Sequence, residues 1–321
     1  MVTGGAGFIG SNLHAALVAR GHETVVVDRL RATKWRNLAH HAPAQLIHPD
    51  ALDDFLATDP PIELVFHLGA ISSTTATDGD LVWSSNVALS QRLWTWCADR
   101  SVRFIYASSA ATYGAGEAGF TDGTDSLDRL HPMNLYGWSK HAFDLSVRRN
   151  LAAGHPRPPQ WAGLKFFNVY GPNEYHKGHM ISVVKVKHDD LLAGRAPRLF
   201  RSDRPDIPDG GQKRDFIWVG DIVDVMLWLL DNPGANGLFN LGTGRARTYL
   251  DLAHAVCAAA GADPHVEFID MPSALRGQYQ SYTEADMNRL RAAGYAGQFT
   301  PLEAGIAQYV RTYLRAADPY R

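Results

Sequence analysis

The sequence predicts an α/β fold, a doubly wound parallel sheet with a smaller, discontinuous α/β lobe. Three observations predict it. A glycine-rich turn at Gly4–Gly10 leads into an amphipathic stretch, Leu13–Arg20, which Gly21 is placed to end. Apolar runs rich in Val, Ile and Phe recur at Thr24–Asp28, Ile62–Leu68, Val102–Ala107 and Leu164–Asn168, with helix-like stretches between them. Continuous apolar strands alternating with helices suit a parallel sheet covered on both faces. After Asn168 the alternation breaks into turn-rich segments at Gly171–Gly178 and Arg201–Gly211. A helix pattern at Ile222–Leu230 and a strand-like run at Gly237–Leu241 then resume it, and a final helix is predicted over Pro301–Ala317. Residues 1–167 with about 213–242 are therefore expected to form the sheet domain, and about 168–212 with 243–321 the lobe.

Bulk properties exclude several classes. The 321 residues are 45% hydrophobic and 20% charged, with a formal net charge of -2, which gives no field for nucleic acid or an anionic membrane. Apolar runs such as Val225–Leu230 are far too short to span a bilayer. With a glycine turn opening at residue 4, no signal peptide is expected. The two cysteines, Cys97 and Cys257, lie in helical-looking apolar segments and read as buried, inert thiols. A cytoplasmic protein is expected.

The turn reads Gly-Gly-Ala-Gly-Phe-Ile-Gly and contains Gly-x-Gly-x-x-Gly from Gly5. Glycines there permit a tight turn, close backbone approach to a pyrophosphate, and packing of the new helix on the sheet. Unpaired amides and the positive end of the helix dipole then hold the phosphates. Asp28 ends the next strand, eighteen positions after Gly10, where an acid binds the adenosine ribose hydroxyls. This is the Rossmann arrangement. Gly4, Gly7, Phe8, Ile9 and Gly10 are the expected pyrophosphate cradle, on a first strand left stubby by the two residues before Thr3. Asp28 alone favours NAD, because it repels a 2′-phosphate. Arg29, Arg31 and Lys34 follow it and either bind that phosphate or form a solvated loop face; the choice leans to NADP, with NAD left open.

Tyr136 and Lys140 are four apart in Asn-Leu-Tyr-Gly-Trp-Ser-Lys, so both fall on one helix face. An ammonium beside a phenol favours the phenolate, which would let Tyr136 exchange a proton near neutrality. Ser109 lies just beyond a strand's carboxyl end, where open sheets bind ligands, and could orient a substrate oxygen.

Across almost its whole length the chain resembles the extended short-chain dehydrogenases that modify nucleotide sugars. The resemblance rests on Thr3–Gly10, Ser108–Gly114, Tyr136–Lys140, Phe167-Asn-Val-Tyr-Gly-Pro172 and Arg214-Asp-Phe-Ile-Trp-Val-Gly-Asp221. Dehydratases of that superfamily carry an Asp-Glu pair after the catalytic hydroxyl; here those positions are Ala110 and Ala111, which have no proton to give. A narrower resemblance, to the ADP-glycero-manno-heptose 6-epimerases, rests on Gly69–Gly79, Ala107–Tyr113, Glu174-Tyr-His-Lys-Gly178 and Gly277-Gln-Tyr-Gln280. It implies an isomerase of lipopolysaccharide core precursor synthesis, working by transient oxidation at C6 with a tightly bound dinucleotide. It also implies two proton carriers, Tyr136 and Lys177, where the residues alone would make Lys177 a loop lysine or a phosphate contact. By the same resemblance Leu68, Gly69, Ala70, Ser72, Asn86 and Val169 line the cofactor along with Tyr136, Lys140 and Lys177. Ser109, Asn168, His179, Phe200, Arg214 and Tyr279 contact the sugar nucleotide, and the protein is a ring-like homo-oligomer, a homopentamer. Arg214 has a physical reason as well, a bidentate grip on a pyrophosphate, against the alternative of a surface salt bridge to Asp215.

Three departures bear on the substrate. His179 replaces an expected serine, Val186 an expected histidine with His188 close by, and Ser202–Gln212 is longer than usual at the expected pocket mouth. His188, Asp189 and Asp190 read as the polar face of a helix. His40, His41 and His48 lack zinc spacing, and no metal is expected. The alternatives are an epimerase or reductase of another NDP-sugar, and a non-catalytic NADP-binding protein on the same fold.

Overall fold

The computed structural model describes residues 1–272 and 280–321. Its elements in chain order are β1 (Val2–Thr3), α1 (Phe8–Ala19), β2 (Val25–Val27), β3 (Gln45–Ile47), α2 (Leu52–Ala57), β4 (Leu64–His67), α3 (Gly79–Val82), α4 (Leu89–Asp99) and β5 (Arg103–Ser109). Next come α5 (Leu135–Ala152), β6 (Trp161–Phe166), β7 (Asn168–Tyr170), α6 (Val183–Leu192), β8 (Arg198–Phe200), β9 (Lys213–Arg214) and β10 (Phe216–Trp218). The rest are α7 (Val219–Asp231), β11 (Gly237–Leu241), β12 (Arg247–Thr248), α8 (Tyr249–Ala260), β13 (Glu267–Ile269), α9 (Asn288–Ala292) and α10 (Leu302–Gln308).

Among the described residues the main sheet has seven strands in the order β11-β6-β5-β4-β1-β2-β3, every pair parallel. Alternate side chains enter two cores on its opposite faces. Phe66, Ile105 and Leu164 join Leu13, Leu17, Ile222 and Met226 from α1 and α7. Val65, Phe104 and Tyr106 join Leu93, Trp94, Phe143 and Val147 from α4 and α5. Burial on both faces explains why these strands read as unbroken apolar runs. From β1 the chain builds outward to β2 and β3 on one side and then returns to β4 on the other, so the strand order reverses between β1 and β4. A ligand crevice opens at the carboxyl ends of strands at such a point.

Some elements differ from expectation for identifiable reasons. Helix α1 starts at Phe8, five residues before its amphipathic pattern, because the glycine turn supplies its first turn. Strand β3 escapes sequence reading because it is the sheet edge and its residues are exposed or half-buried. The run Leu164–Asn168 is split: Phe167 N–H donates to Leu241, but Asn168 N–H turns to Asp215, and β7 pairs with β10 outside the main sheet. The last helix ends its regular part at Gln308 and widens into a π-helical stretch, Tyr309–Leu314. Cys97 and Cys257 are buried and free. Among the described residues no helix is long and apolar enough to cross a membrane.

Candidate active site

A cavity of about 510 Å³ occupies the reversal point. Its floor is the glycine turn. Gly4 has φ +69°, and a Cβ there would sit 2.6 Å from the Gly69 nitrogen, so the turn lies directly on the segment leaving β4. A Cβ on Gly10 would fall on the Gly4 carbonyl oxygen. Gly7 is the N-cap of α1, which has no side-chain cap and no acid in its first turn, leaving the amides of Phe8 and Ile9 without helical acceptors. Both residues line the cavity. Unpaired amides above a turn too tight for any Cβ fit a pyrophosphate.

Asp28 lines one end of the cavity. Its carboxylate accepts from the Ala6 amide at 3.0 Å, the Arg29 amide at 2.7 Å and the Lys34 ammonium at 2.5 Å. Lys34 therefore faces the cavity with Asp28. The Arg29 guanidinium turns away to an exposed pair with Asp50, so it is not brought to the site.

Of the other residues singled out from sequence, Leu68, Gly69, Ala70 and Ser72 line one wall. Ser109, Tyr136, Lys140, Asn168, Val169 and Lys177 line the rest. Asn86 does not. It is fully buried behind the wall, where its side chain takes the Ile71 amide at 2.8 Å and donates to the Ile71 carbonyl and to Ser139. His179 also lies off the cavity, 3.4 Å from Thr75. Tyr279 and the run Gly277-Gln-Tyr lie outside the described residues, while Gln280 lines the cavity. Phe200 lines a neighbouring cavity of about 250 Å³ that shares Val183 with the first.

That second cavity is largely apolar, with Leu199, Ile269 and Tyr249 around Phe200 and Val186, and with Lys187, Asp190 and Arg198 also on its lining. Gln212 lines it, buried, its amide nitrogen without a partner among the described residues. The long stretch before Gln212 thus ends on this cavity. Arg214 is buried and stacks its guanidinium on the Tyr249 ring, 5.6 Å from the centroid. Asp215 is buried too, its carboxylate accepting from Thr243, Gly244 and Ala285, so a surface salt bridge between the two does not describe them. His188 and Asp190 correct another expectation. Both are buried, with Asp190 accepting from Arg195 at 3.1 Å and Arg198 at 3.3 Å.

The sequence-distant residues meet through three local devices. Asn134 caps α5 by accepting from the Gly137 amide at 2.8 Å, which starts the helix just before Tyr136. The Ser109 hydroxyl accepts from the Ala111 amide at 3.1 Å, on the cavity that Tyr136 also lines. The turn carrying Lys177 is anchored by Glu174, which is fully buried and accepts from the Ser182 amide and hydroxyl and from Tyr309. Glu174 was legible only as part of a motif; its anchoring role depends on α6 and on Tyr309, far along the chain. His176, also unforeseen, lines the cavity with its ring pushed down to about 4 by burial and by the Lys34 and Lys177 charges.

Burial governs the proton-carrying groups. It pulls Lys140 down to about 8, opposed by Asp144 one turn on. It pulls Lys177 below its ordinary value, opposed by Glu174. It pushes Tyr136 above 10, with the Ser109 hydroxyl opposing it. The expectation that Lys140 draws Tyr136 toward neutrality is therefore not met in the chain alone. The arrangement presents a phenol and two lysines whose charged forms burial disfavours, all on one cavity. Ala110 and Ala111 line it beside Ser109 and carry no exchangeable proton.

Residues 1–242 match the family model described as the NAD dependent epimerase/dehydratase family. An ADP-L-glycero-D-manno-heptose-6-epimerase of Nitratidesulfovibrio vulgaris is 50% identical over 325 residues, covering 100% of this chain and 99% of that one. The solved ADP-L-glycero-D-manno-heptose-6-epimerase of Helicobacter pylori superposes with a TM-score of 0.79 at 26% identity, covering 97% of this chain and 94% of that one. The UDP-glucose 4-epimerase of Thermus thermophilus, solved with NAD, superposes with a TM-score of 0.77 at 26% identity, covering 98% of this chain and 99% of that one. With the Rossmann sheet, the glycine cradle and this likeness along its full length, the chain belongs to the NAD dependent epimerase/dehydratase family.

Proposed function

We propose that the protein is an ADP-glycero-manno-heptose 6-epimerase, inverting C6 of the heptose in lipopolysaccharide core precursor synthesis. The observation that carries this is the pair Tyr136 and Lys177 on one cavity, with Ala110 and Ala111 where a dehydratase needs acids. A dinucleotide held on the Gly4–Gly10 turn would supply the hydride acceptor and donor for C6, so no external reductant would be consumed. Everything else falls to the chain. One group takes the C6 hydroxyl proton as the carbinol becomes a ketone; the ketone turns its other face, and a second group protonates the oxygen in its new position. A single base serves only one orientation. Lys177, drawn toward the free amine by burial, suits the accepting role, and Tyr136, held as a phenol, the donating role. In the reverse direction the roles exchange. Ser109 orients the oxygen, and Lys140 lines the same cavity one helical turn beyond Tyr136.

Asn168 and Val169 bound the sugar and nicotinamide region, and the 250 Å³ cavity suits the apolar face of the substrate's nucleoside, with Gln212 offering an unused donor. We read about 168–212 and 243–321 as the substrate lobe. NADP is our preferred dinucleotide, because the Lys34 ammonium offsets the Asp28 carboxylate where a 2′-phosphate would lie. Arg29 turning to Asp50 favours NAD instead, and phosphate analysis of the dinucleotide released by heat decides between them. We place the enzyme in the cytoplasm as a homo-oligomer, a homopentamer on the family resemblance given above. The test is incubation with ADP-D-glycero-D-manno-heptose and no added cofactor, followed by NMR at C6. Inversion supports the reading; turnover of another NDP-hexose with no heptose inversion sinks it.

A further inference from the structure

Beneath the Ser109–Tyr136 pair runs a buried polar chain that the chemistry above does not use. Asp144, one turn beyond Lys140 on α5, accepts from the Tyr106 hydroxyl at 3.0 Å and the Ser108 hydroxyl at 2.7 Å. It accepts also from the Lys165 ammonium on β6 at 2.9 Å, in an ion pair whose two side chains are 0% exposed. Lys165 donates again to the Thr112 hydroxyl at 2.6 Å, and Thr112 passes its hydrogen to the Ser109 carbonyl at 2.8 Å. The face of the Tyr113 ring lies 5.0 Å from the ammonium.

Donor direction is fixed along this chain. An ammonium has only protons to give, so the Thr112 oxygen must accept from it and spend its single hydrogen on Ser109. Each bond polarises the next. Placing an ion pair where no water reaches is costly, and apolar residues of similar volume would fill the core as well. What apolar residues cannot do is hold one carbonyl at a set position. The segment so held also abuts α5, since a Cβ on Gly137 would meet the Ala111 carbonyl oxygen at 2.7 Å. The Ser109 hydroxyl accepts from the Ala111 amide at 3.1 Å, so moving this segment moves the hydroxyl.

We propose that Thr112, Lys165 and Asp144 are positioning residues: through the Ser109 carbonyl they fix the Ser109 hydroxyl against Tyr136, and so set the rate of proton transfer. This rests on the reading of Ser109 and Tyr136 given above. Thr112→Val removes the link with almost no change in volume, whereas Thr112→Ser keeps it. In the holoenzyme, Thr112→Val is expected to lower kcat about tenfold with KM for the sugar nucleotide and dinucleotide content unchanged. Thr112→Ser is expected to stay within about twofold of the wild type. Thr112→Ala repeats the loss should the valine variant fold poorly. A Thr112→Val enzyme at the wild-type rate, beside a slow Ser109→Ala, overturns the positioning role and leaves the wider reading standing. Valine and serine variants that are equally slow and have lost their dinucleotide make the chain merely structural, which also overturns it. A Ser109→Ala enzyme at full rate removes the reading on which the inference rests.

Discussion

Replacing Lys140 with methionine separates what the residue does for the reaction from what it costs the fold. Lys140 is buried, and burial pulls its ammonium from the ordinary 10.5 down to about 8 against the opposing charge of Asp144. A charged form disfavoured to that extent destabilises the native chain at neutral pH by about 3 kcal/mol, taking about 1.4 kcal/mol per tenfold. Across 321 residues an unfolding entropy of about 2.1 cal/mol/K per residue gives about 0.7 kcal/mol per degree, so the penalty corresponds to roughly 4–5 °C. Between pH 8 and 10.5 the native chain binds fewer protons than the unfolded one, so wild-type stability rises with pH across that window. Lys140→Met lacks this term. It is expected to be more stable than wild type by about 3 kcal/mol at pH 7 and by progressively less as pH climbs through the window, while epimerisation falls at least about a hundredfold. Urea unfolding at several pH values, on protein freed of dinucleotide, measures the gap directly. A methionine variant less stable than wild type at pH 7, or a gap indifferent to pH, would refute the reasoning.

Tyr136→Phe removes the phenol and leaves the ring, so kcat should drop about 10²–10⁴-fold with dinucleotide retained; retention is read from absorbance of the released cofactor. Lys177→Met should slow inversion to a similar degree, and an unchanged rate would eliminate the second proton carrier. Gly10→Ala sets a Cβ against the Gly4 carbonyl oxygen and must displace the turn; the variant should purify without dinucleotide and unfold at least about 1–3 kcal/mol more easily. Lys34→Ala frees the Asp28 carboxylate. On the NADP reading it shifts the dinucleotide found in purified protein toward NAD, and an unaltered NADP content counts against that assignment.

Much of the fold is legible in the sequence because burial on both faces of a parallel sheet leaves long apolar runs, and Gly237–Leu241 could be delimited to the residue. Edge strand β3 could not, since its exposed side chains need no apolar pattern. The break at Phe167 was hidden for another reason: the residues on both sides of it are extended, and only pairing with Leu241 on one side and Asp215 on the other divides them. At the site, the glycine turn and the Tyr136–Lys140 spacing announce themselves because each is a local geometric demand. The pH behaviour of Tyr136 does not. It depends on burial, which sequence spacing does not show. Buried polar pairs are the least legible. Asp190 looks like a helix's wet face until Arg195 and Arg198 fold back onto it. Asp144 and Lys165 are 21 residues apart and meet only because β5, β6 and α5 stack.

The central claim is that one hydride leaves C6 and returns to it inside a single bound state. The most direct measurement uses substrate deuterated at C6, incubated in ordinary water without added dinucleotide, with the C6 label read by NMR and mass spectrometry after inversion. The account predicts that the inverted heptose keeps its deuterium and that unlabelled substrate in D₂O gains none at C6. Loss of the label to solvent, or inversion that stops unless fresh dinucleotide is supplied, would contradict it.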